Sequence, residues 1–349
     1  MPTGLGLDCN SKMIAAYLGL GAITLLVCVF ATPVGGWLRV VDLPDGQRKT
    51  HDRPTPLVGG LAIMVSVCTM AAIQAATTEF GPFYVTVLMA LAAFLVLGFI
   101  DDRKHIRPVW RLAASFTLGL VVILSVPAFE ISFLKFSFLP RALFLDGWVG
   151  PIFTLLCLVG LQNAVNMADG KNGLVLGLSL VWTVLLFAYA PAHLYPLLAV
   201  LGITVAIGLV FNLTGRLFLG DSGTYSLSIA VGLLAIYCYQ VNFATLPADI
   251  VALWFLVPVM DCLRLMATRV LRGRSPFTSD RNHLHHILER LMPWRRALPV
   301  YLAMVALPNL MALAWPQQTL LWALLTLSYY AVVVGASHRI FAQQTRTIA

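Results

Sequence analysis

Four short segments gather the side chains that could do polar chemistry. G-F-I-D-D-R-K-H-I-R-P holds Asp101 and Asp102, and Q-N-A-V-N-M-A-D-G-K-N-G holds Asn163, Asn166, Asp169 and Asn172. F-N-L-T-G-R-L-F-L-G-D-S-G-T holds Asp221, and S-P-F-T-S-D-R-N-H-L-H-H-I-L-E-R-L holds Asp280, Arg281, His283, His285 and His286. Carboxylates and amides are hard oxygen ligands of the kind Mg2+ prefers. A glycine-rich approach to a helix start suits phosphate, and cations stabilise charge on phosphoryl oxygens. The set therefore suits diphosphate transfer, with a base keeping an incoming phosphate ionised for attack.

Each segment also has a plainer reading. Asp101 and Asp102 end a long apolar helix, where flanking charge is ordinary, although acidic groups at a helix C-terminus oppose its dipole. Adjacent on a helix, they point about 100° apart and need not meet at one ion. Asn163 and Asn166 are spaced i, i+3 on one helical face. Asp169-Gly170-Lys171-Asn172-Gly173 reads as a tight turn whose glycines are free to take positive φ. A C-cap and two interhelical hydrogen bonds would also account for this segment. Asp221 is by type a helix N-cap. Asp280 could cap a short interfacial helix with Leu284, Ile287, Leu288 and Leu291 on one face. That helix would set His283, His286 and Arg290 on one flank and His285 with Glu289 on the other. Rings spread in this way do not bind zinc; neutral or protonated histidines donating to phosphate or sugar fit better. His51 and His105 stay open, while His193 and His338 read as isolated residues at helix ends. The six cysteines are scattered, without zinc or redox spacing, as small packing residues.

The elements that must position these groups are membrane helices. Of 349 residues, 59% are apolar and only 11% charged; the mean hydropathy is +0.86. These values exclude a soluble enzyme, a disordered chain and a disulfide scaffold. A span needs about 20 apolar residues. Eleven stretches qualify, at roughly 13–32, 57–77, 82–100, 110–128, 149–168, 173–190, 193–213, 222–241, 248–268, 297–315 and 318–337. The fold class is thus an all-α polytopic membrane protein. The spans around Pro191 are the least distinct, and Gly98 and Pro258 within spans require neighbouring helices to satisfy the backbone. The first apolar run is too long, and its flank too weakly basic, for a cleaved signal peptide.

The net charge is +8. Alternating the loops across eleven spans puts 20 of the 23 basic residues on one side and leaves Lys12, Lys135 and Arg141 on the other. This bias places the C-terminus in the cytoplasm and the N-terminus outside, and it removes nucleic acid as a partner. Ten of the 15 carboxylates fall on the same side, several at helix mouths. The chain reads as one domain, 1–349, with its active site built from cytoplasmic loops at about 33–56, 101–109, 169–172, 214–221 and 269–296.

With these motifs in order, the chain resembles the polyprenyl-phosphate N-acetylhexosamine-1-phosphate transferases. K-T-H-D-R-P-T-P-L-V-G-G, G-F-I-D-D-R, N-A-V-N-M-A-D-G and F-L-G-D-S-G carry the likeness across residues 13–337. S-P-F-T-S-D-R-N-H-L-H-H points to the bacterial branch using UDP-N-acetylglucosamine. The resemblance implies transfer of N-acetylhexosamine-1-phosphate, most simply GlcNAc-1-phosphate, from the UDP-sugar to undecaprenyl phosphate, releasing UMP. This is the first membrane step of a cell-surface polysaccharide such as lipopolysaccharide O-antigen or a cell-wall polymer. It implies Mg2+, with Mn2+ able to stand in, an inner-membrane location with the active site facing the cytoplasm, and a homodimer as one possible assembly. Asp101 matches the carboxylate that activates the lipid phosphate, with Asp102 beside it. Asn166 and Asp221 match metal-holding positions, and Asn163 and Asp169 complete the same wall. Arg53 matches a phosphate-side cation, and Arg281, His283, His285 and His286 match the loop contacting sugar and diphosphate. The chain departs from the pattern at Asn172, where many bacterial relatives carry aspartate near the uracil. An amide there still pairs with uracil but carries no catalytic charge. A transporter of a nucleotide sugar or lipid-linked sugar is the competing class, but it would place charge near the bilayer midplane on broken helices.

Overall fold

A computed structural model describes residues 5–44, 53–278 and 280–348. His51, Arg48 and Lys49 lie outside these residues, as does the side chain of His338. The helices are α1 (Leu5–Val29), α2 (Ala31–Leu38), α3 (Gly59–Thr77), α4 (Gly81–Lys104), α5 (Pro108–Ser125), α6 (Val149–Ala168), α7 (Leu174–Tyr189), α8 (Tyr195–Leu213), α9 (Gly220–Asn242), α10 (Ala248–Leu271), α11 (Leu284–Leu291), α12 (Trp294–Ala314) and α13 (Thr319–Ile348). Two small antiparallel pairs accompany them, β1 (Val41–Asp42) with β2 (Thr55–Pro56) and β3 (Phe133–Leu134) with β4 (Leu143–Phe144).

Among the described residues ten helices are long and apolar enough to cross a membrane. The expected crossing at 173–190 is α7, with 16 residues. At 1.5 Å per residue it spans about 24 Å, short of the roughly 30 Å hydrocarbon layer. Its ends nonetheless lie at opposite faces of the bundle. Gly173 donates its N–H to Asn212 Oδ1 at 2.6 Å near the end of α8, while the Tyr189 carbonyl accepts from Asn242 Nδ2 at 2.7 Å at the far end of α9. Added to the ten longer helices, α7 makes eleven that run between the two faces among the described residues. Lys135 and Arg141 belong to the β3–β4 hairpin segment on the face away from the polar loops, where the Lys135 carbonyl accepts from Ala248 N at 2.7 Å.

The exterior is apolar. Met89, Val96, Val121, Val184 and Val210 are all exposed, as suits helices that meet lipid rather than water. Lipid tails give no hydrophobic drive between helices, so association rests on close packing and interhelical hydrogen bonds. α9 is the hub, buried from Ser222 to Tyr239. Small residues permit its tight contacts: a side chain at Gly98 of α4 would collide with the backbone of Asp221 and Ser222. That close approach sets the distance between the two acidic segments. Thr24 and Ser66 share a 2.9 Å bond joining α1 to α3. Pro258 inside α10 lacks an N–H and frees the carbonyl of Trp254, four residues earlier. Trp182 of α7 fills the gap with its Nε1–H at 2.8 Å, the neighbouring-helix satisfaction that an intramembrane proline demands.

Candidate active site

Six carboxylates line one cavity at the polar end of the bundle, Asp102, Asp169 and Asp221 together with Asp42, Asp280 and Glu289. Asn163, Asn166, Lys171, Asn172, Arg281, His283, His285 and His286 share the same lining, together with Arg111 and His105. The cavity, of about 1930 Å³, continues away from this mouth between α5, α6, α9 and α10 along apolar walls that include Phe116, Phe153, Ile236 and Phe255. It reaches Leu134 and Phe136 of the opposite hairpin. Gly160 of α6 lines it with open space in front of its Cα.

Asp221 does not cap its own helix. It lies in the first turn of α9, and the N–H groups of Asp221 and Ser222 both donate to the Asp102 carboxylate, at 2.7 and 3.0 Å. The cap comes from the end of α4, so Asp221 keeps its carboxylate for the cavity. Asn166 donates to Asp221 Oδ1 at 2.5 Å and to Thr224 Oγ1 at 3.2 Å. Asn163 donates to the Val159 carbonyl at 2.8 Å along its own helix.

Asp101 and Asp102 diverge, as adjacent helical positions must. Asp101 is buried and absent from the cavity lining. It accepts from Ile106 N at 2.7 Å, Tyr225 OH at 2.6 Å and Arg111 at 3.4 Å. It thereby holds the α4–α5 turn and places Arg111 at the cavity edge. Arg53 is exposed and also outside the cavity lining.

The 169–173 turn is fixed from three sides. Asn212 of α8 receives Gly173 N and donates to the Leu217 carbonyl at 3.0 Å; Trp294 of α12 donates to the Asn172 carbonyl at 2.9 Å; Lys171 meets Glu289 of α11 at 2.5 Å. Only Gly173 of its two glycines has positive φ, at +85°. Gly170 serves differently, because a Cβ there would strike the His285 ring. Burial first, and then the charges of Asp221 and Asp102, push the Asp169 carboxyl up to about 7.

The histidine segment departs from expectation at its start. Asp280 does not cap α11: it pairs with Arg269 at 2.9 Å and accepts from Asn282 N at 2.9 Å. Burial opposes its charge, yet these contacts hold it below the usual carboxylate range. His283 occupies the cap position, and the N–H of Leu284 goes instead to Asp261 of α10, at 3.1 Å. The apolar face of α11 is not spread on lipid either. Leu284, Ile287 and Leu288 are buried against α12 and α13, and only Leu291 is partly exposed. The three histidine rings consequently gather rather than splay, with His283 stacked on His285 at 5.4 Å and His286 4.2 Å from His285. Burial, followed by nearby cations and rings, lowers His286 to about 4 and His285 well below its ordinary value, so both are neutral at pH 7. His285 Nε2 is buried without a hydrogen-bond partner.

Among the described residues no three His, Cys, Asp or Glu side chains converge on a point that could hold a metal alone. Mg2+ takes one or two protein carboxylates and fills the remaining positions with water and substrate phosphate. The hard oxygens of Asp221 and Asn166, beside Asp169, are such a set.

Two residues central to this site carry no motif. Asp261 and Arg264 are ionisable groups embedded in an apolar helix, and an ionisable residue within a span is itself a functional signal.

A lipid-embedded bundle whose polar mouth opens into an apolar channel is the architecture of an enzyme that joins a water-borne substrate to a membrane one. Residues 83–239 match the family model described as glycosyl transferase family 4. Over 279 residues the chain is 29% identical to the probable undecaprenyl-phosphate N-acetylglucosaminyl 1-phosphate transferase of Bacillus subtilis (strain 168), covering 76% of this chain and 75% of that one. It is 28% identical over 306 residues to the decaprenyl-phosphate N-acetylglucosaminephosphotransferase of Mycolicibacterium smegmatis, covering 77% and 74%. It is 28% identical over 295 residues to the undecaprenyl-phosphate alpha-N-acetylglucosaminyl 1-phosphate transferase of Escherichia coli (strain K12), covering 81% and 77%.

Proposed function

We propose that this multi-pass membrane protein transfers GlcNAc-1-phosphate from UDP-GlcNAc to undecaprenyl phosphate, releasing UMP. An oxygen of the lipid phosphate attacks the sugar-bearing phosphorus; the new P–O bond forms as the bond to UMP breaks. The observation that carries this reading is the single cavity joining acidic, amide and cationic groups at one face to an apolar channel reaching the opposite hairpin. One end suits two phosphates and a sugar, and the other suits a polyprenyl chain.

Within that reading Asp221 and Asn166 are the residues that would hold Mg2+. The ion, when bound, neutralises charge on the reacting phosphoryl oxygens. Arg111, Lys171 and Arg281 line the path of the diphosphate, while Asn163 and Asn172 face the nucleotide. Asp101 serves by holding Arg111 in place. Asp102 fixes the start of α9, and Asp169 takes the proton that would otherwise blunt the lipid phosphate. The basic face is cytoplasmic, which in a bacterium sets the enzyme in the inner membrane with access to UDP-sugars and begins a cell-surface polysaccharide.

The decisive experiment is purified protein with Mg2+, undecaprenyl phosphate and a panel of UDP-sugars, following UMP. Release with UDP-GlcNAc is expected; no release with any N-acetylhexosamine donor overturns the reading. The acidity of Asp169 adds a pH dependence. Its charged form is the competent one, so turnover rises as pH climbs through about 7. A nearby cation favours the charged form and moves the inflection downward. Asp169→Asn should lose this limb; a limb that persists in the variant removes Asp169 from the proton path.

A further inference from the structure

Asp261 lies within α10, about three turns before that helix ends, yet four donors converge on its two oxygens. Oδ1 accepts from Arg264 at 2.8 Å and from Tyr330 OH of α13 at 2.8 Å. Oδ2 accepts from Leu284 N at 3.1 Å and faces His283 Nδ1 at 3.0 Å. Asp261 and His283 are both buried. A carboxylate surrounded in this way acts as an acceptor throughout, so the ring nitrogen facing it must carry a hydrogen. The second bond to the same Oδ2 comes from the first N–H of α11. One oxygen therefore sets both the His283 ring and the start of the helix bearing His285 and His286. Arg264 reinforces the arrangement by donating to the Asn282 carbonyl at 2.6 Å and to Tyr330 OH at 2.6 Å.

His283 also lines the cavity. With Nδ1–H given to Asp261, its remaining nitrogen, Nε2, is a lone-pair acceptor in the neutral ring. The cavity already holds many donors for phosphoryl oxygens, including Arg111, Lys171 and Arg281. An acceptor among them has its complement in an O–H or N–H group, which a hexosamine carries and a diphosphate does not.

We propose that Asp261 is a positioning residue for the sugar end of the site: it holds His283 as the Nδ1–H tautomer, so that Nε2 accepts a hydrogen bond from a hydroxyl or acetamido group of the transferred sugar. This deepens the transferase reading and rests on it. An imidazole oriented by a carboxylate is a recurrent device, and losing the carboxylate typically costs on the order of 10- to 100-fold where the ring binds a metal.

The test is a double-substitution cycle in the full-length protein, read in two ways. Asp261→Asn and His283→Gln should each lower kcat/KM for UDP-GlcNAc by about 10- to 100-fold. The double variant should be no worse than His283→Gln alone, because the first residue acts only through the second. Multiplicative losses overturn the proposal. The second measurement needs no turnover: the 15N signals of the histidine lost in His283→Gln should report a single Nδ1–H tautomer in the unsubstituted protein. They should report mixed tautomers in Asp261→Asn. Tyr330→Phe, which removes a different bond to Asp261, should keep the Nδ1–H form. An Nε2–H ring in the unsubstituted protein overturns the assignment. Absence of UMP release from unsubstituted protein would instead count against the transferase reading, and the tautomer would still be decided by the spectrum.

Discussion

Asp221→Asn is expected to leave the protein inserted and folded while UMP release falls by about 10²- to 10³-fold, the scale for losing one preorganised electrostatic group. The separation follows from where the cap of α9 comes from. Were Asp221 its own N-cap, the substitution would weaken the helix start and the site together. The helix start is instead held by Asp102, which accepts from Asp221 N and Ser222 N, and those backbone donors remain after the change. Asparagine has nearly the same volume, so the close approach of Gly98 to the Asp221 backbone is also undisturbed. What changes is charge at the cavity wall, beside Asn166. The measurement is turnover across a Mg2+ titration alongside thermal unfolding in the same detergent. Near-normal turnover at low Mg2+ would sink the metal role of Asp221. A large drop in unfolding temperature would show that its carboxylate supports the fold after all.

Asp102→Ala should behave in the opposite manner, damaging stability and activity at once. Removing a capping acceptor costs about 0.5–2 kcal/mol in soluble helices. Here two N–H groups lose their partner, in a half-buried setting where water replaces it poorly. The start of α9 would loosen, carrying Asp221 out of register with Asn166. We expect a lower unfolding temperature than in Asp221→Asn, and UMP release reduced at least as far. Asp102→Asn should be the milder variant, since one amide oxygen still accepts from the helix. If Asp102→Ala unfolds at the same temperature as the unsubstituted protein, capping from α4 is not what holds this helix.

These contrasts mark the boundary of what the residues alone made legible. The all-α, many-span architecture was readable because it depends on a local quantity, the length of apolar runs. The motifs were readable because Asp102, Asn166, Asp169 and Asp221 sit at span ends, where charge stands out against apolar sequence, and the cavity does unite them. The capping roles were not. By residue type, Asp221 and Asp280 each looked like the cap of the helix that follows, and each proved to be bound otherwise. Both caps come from carboxylates far along the chain, and no local pattern encodes them. The short span α7 was the least distinct stretch because its register depends on Asn212 and Asn242, on other helices. Asp261 is illegible in the sequence for a related reason. It belongs to no glycine-rich or acidic motif, and its meaning appears only once Tyr330 and His283 are seen around it.

The two borrowed caps bear on how such a protein is made. Residues 102 and 221 are 119 positions apart, and the ribosome releases α4 well before α9 exists. When α9 enters the membrane its leading N–H groups have no partner of their own, so the helix gains its full stability only by docking against one already in place. The same holds for α11, which waits on α10. The docking that satisfies these helix starts is therefore also what brings the residues of the candidate site together. A half-assembled chain would carry long apolar helices but no ordered start to α9 or α11, and so no fixed positions for Asp221, His285 and His286.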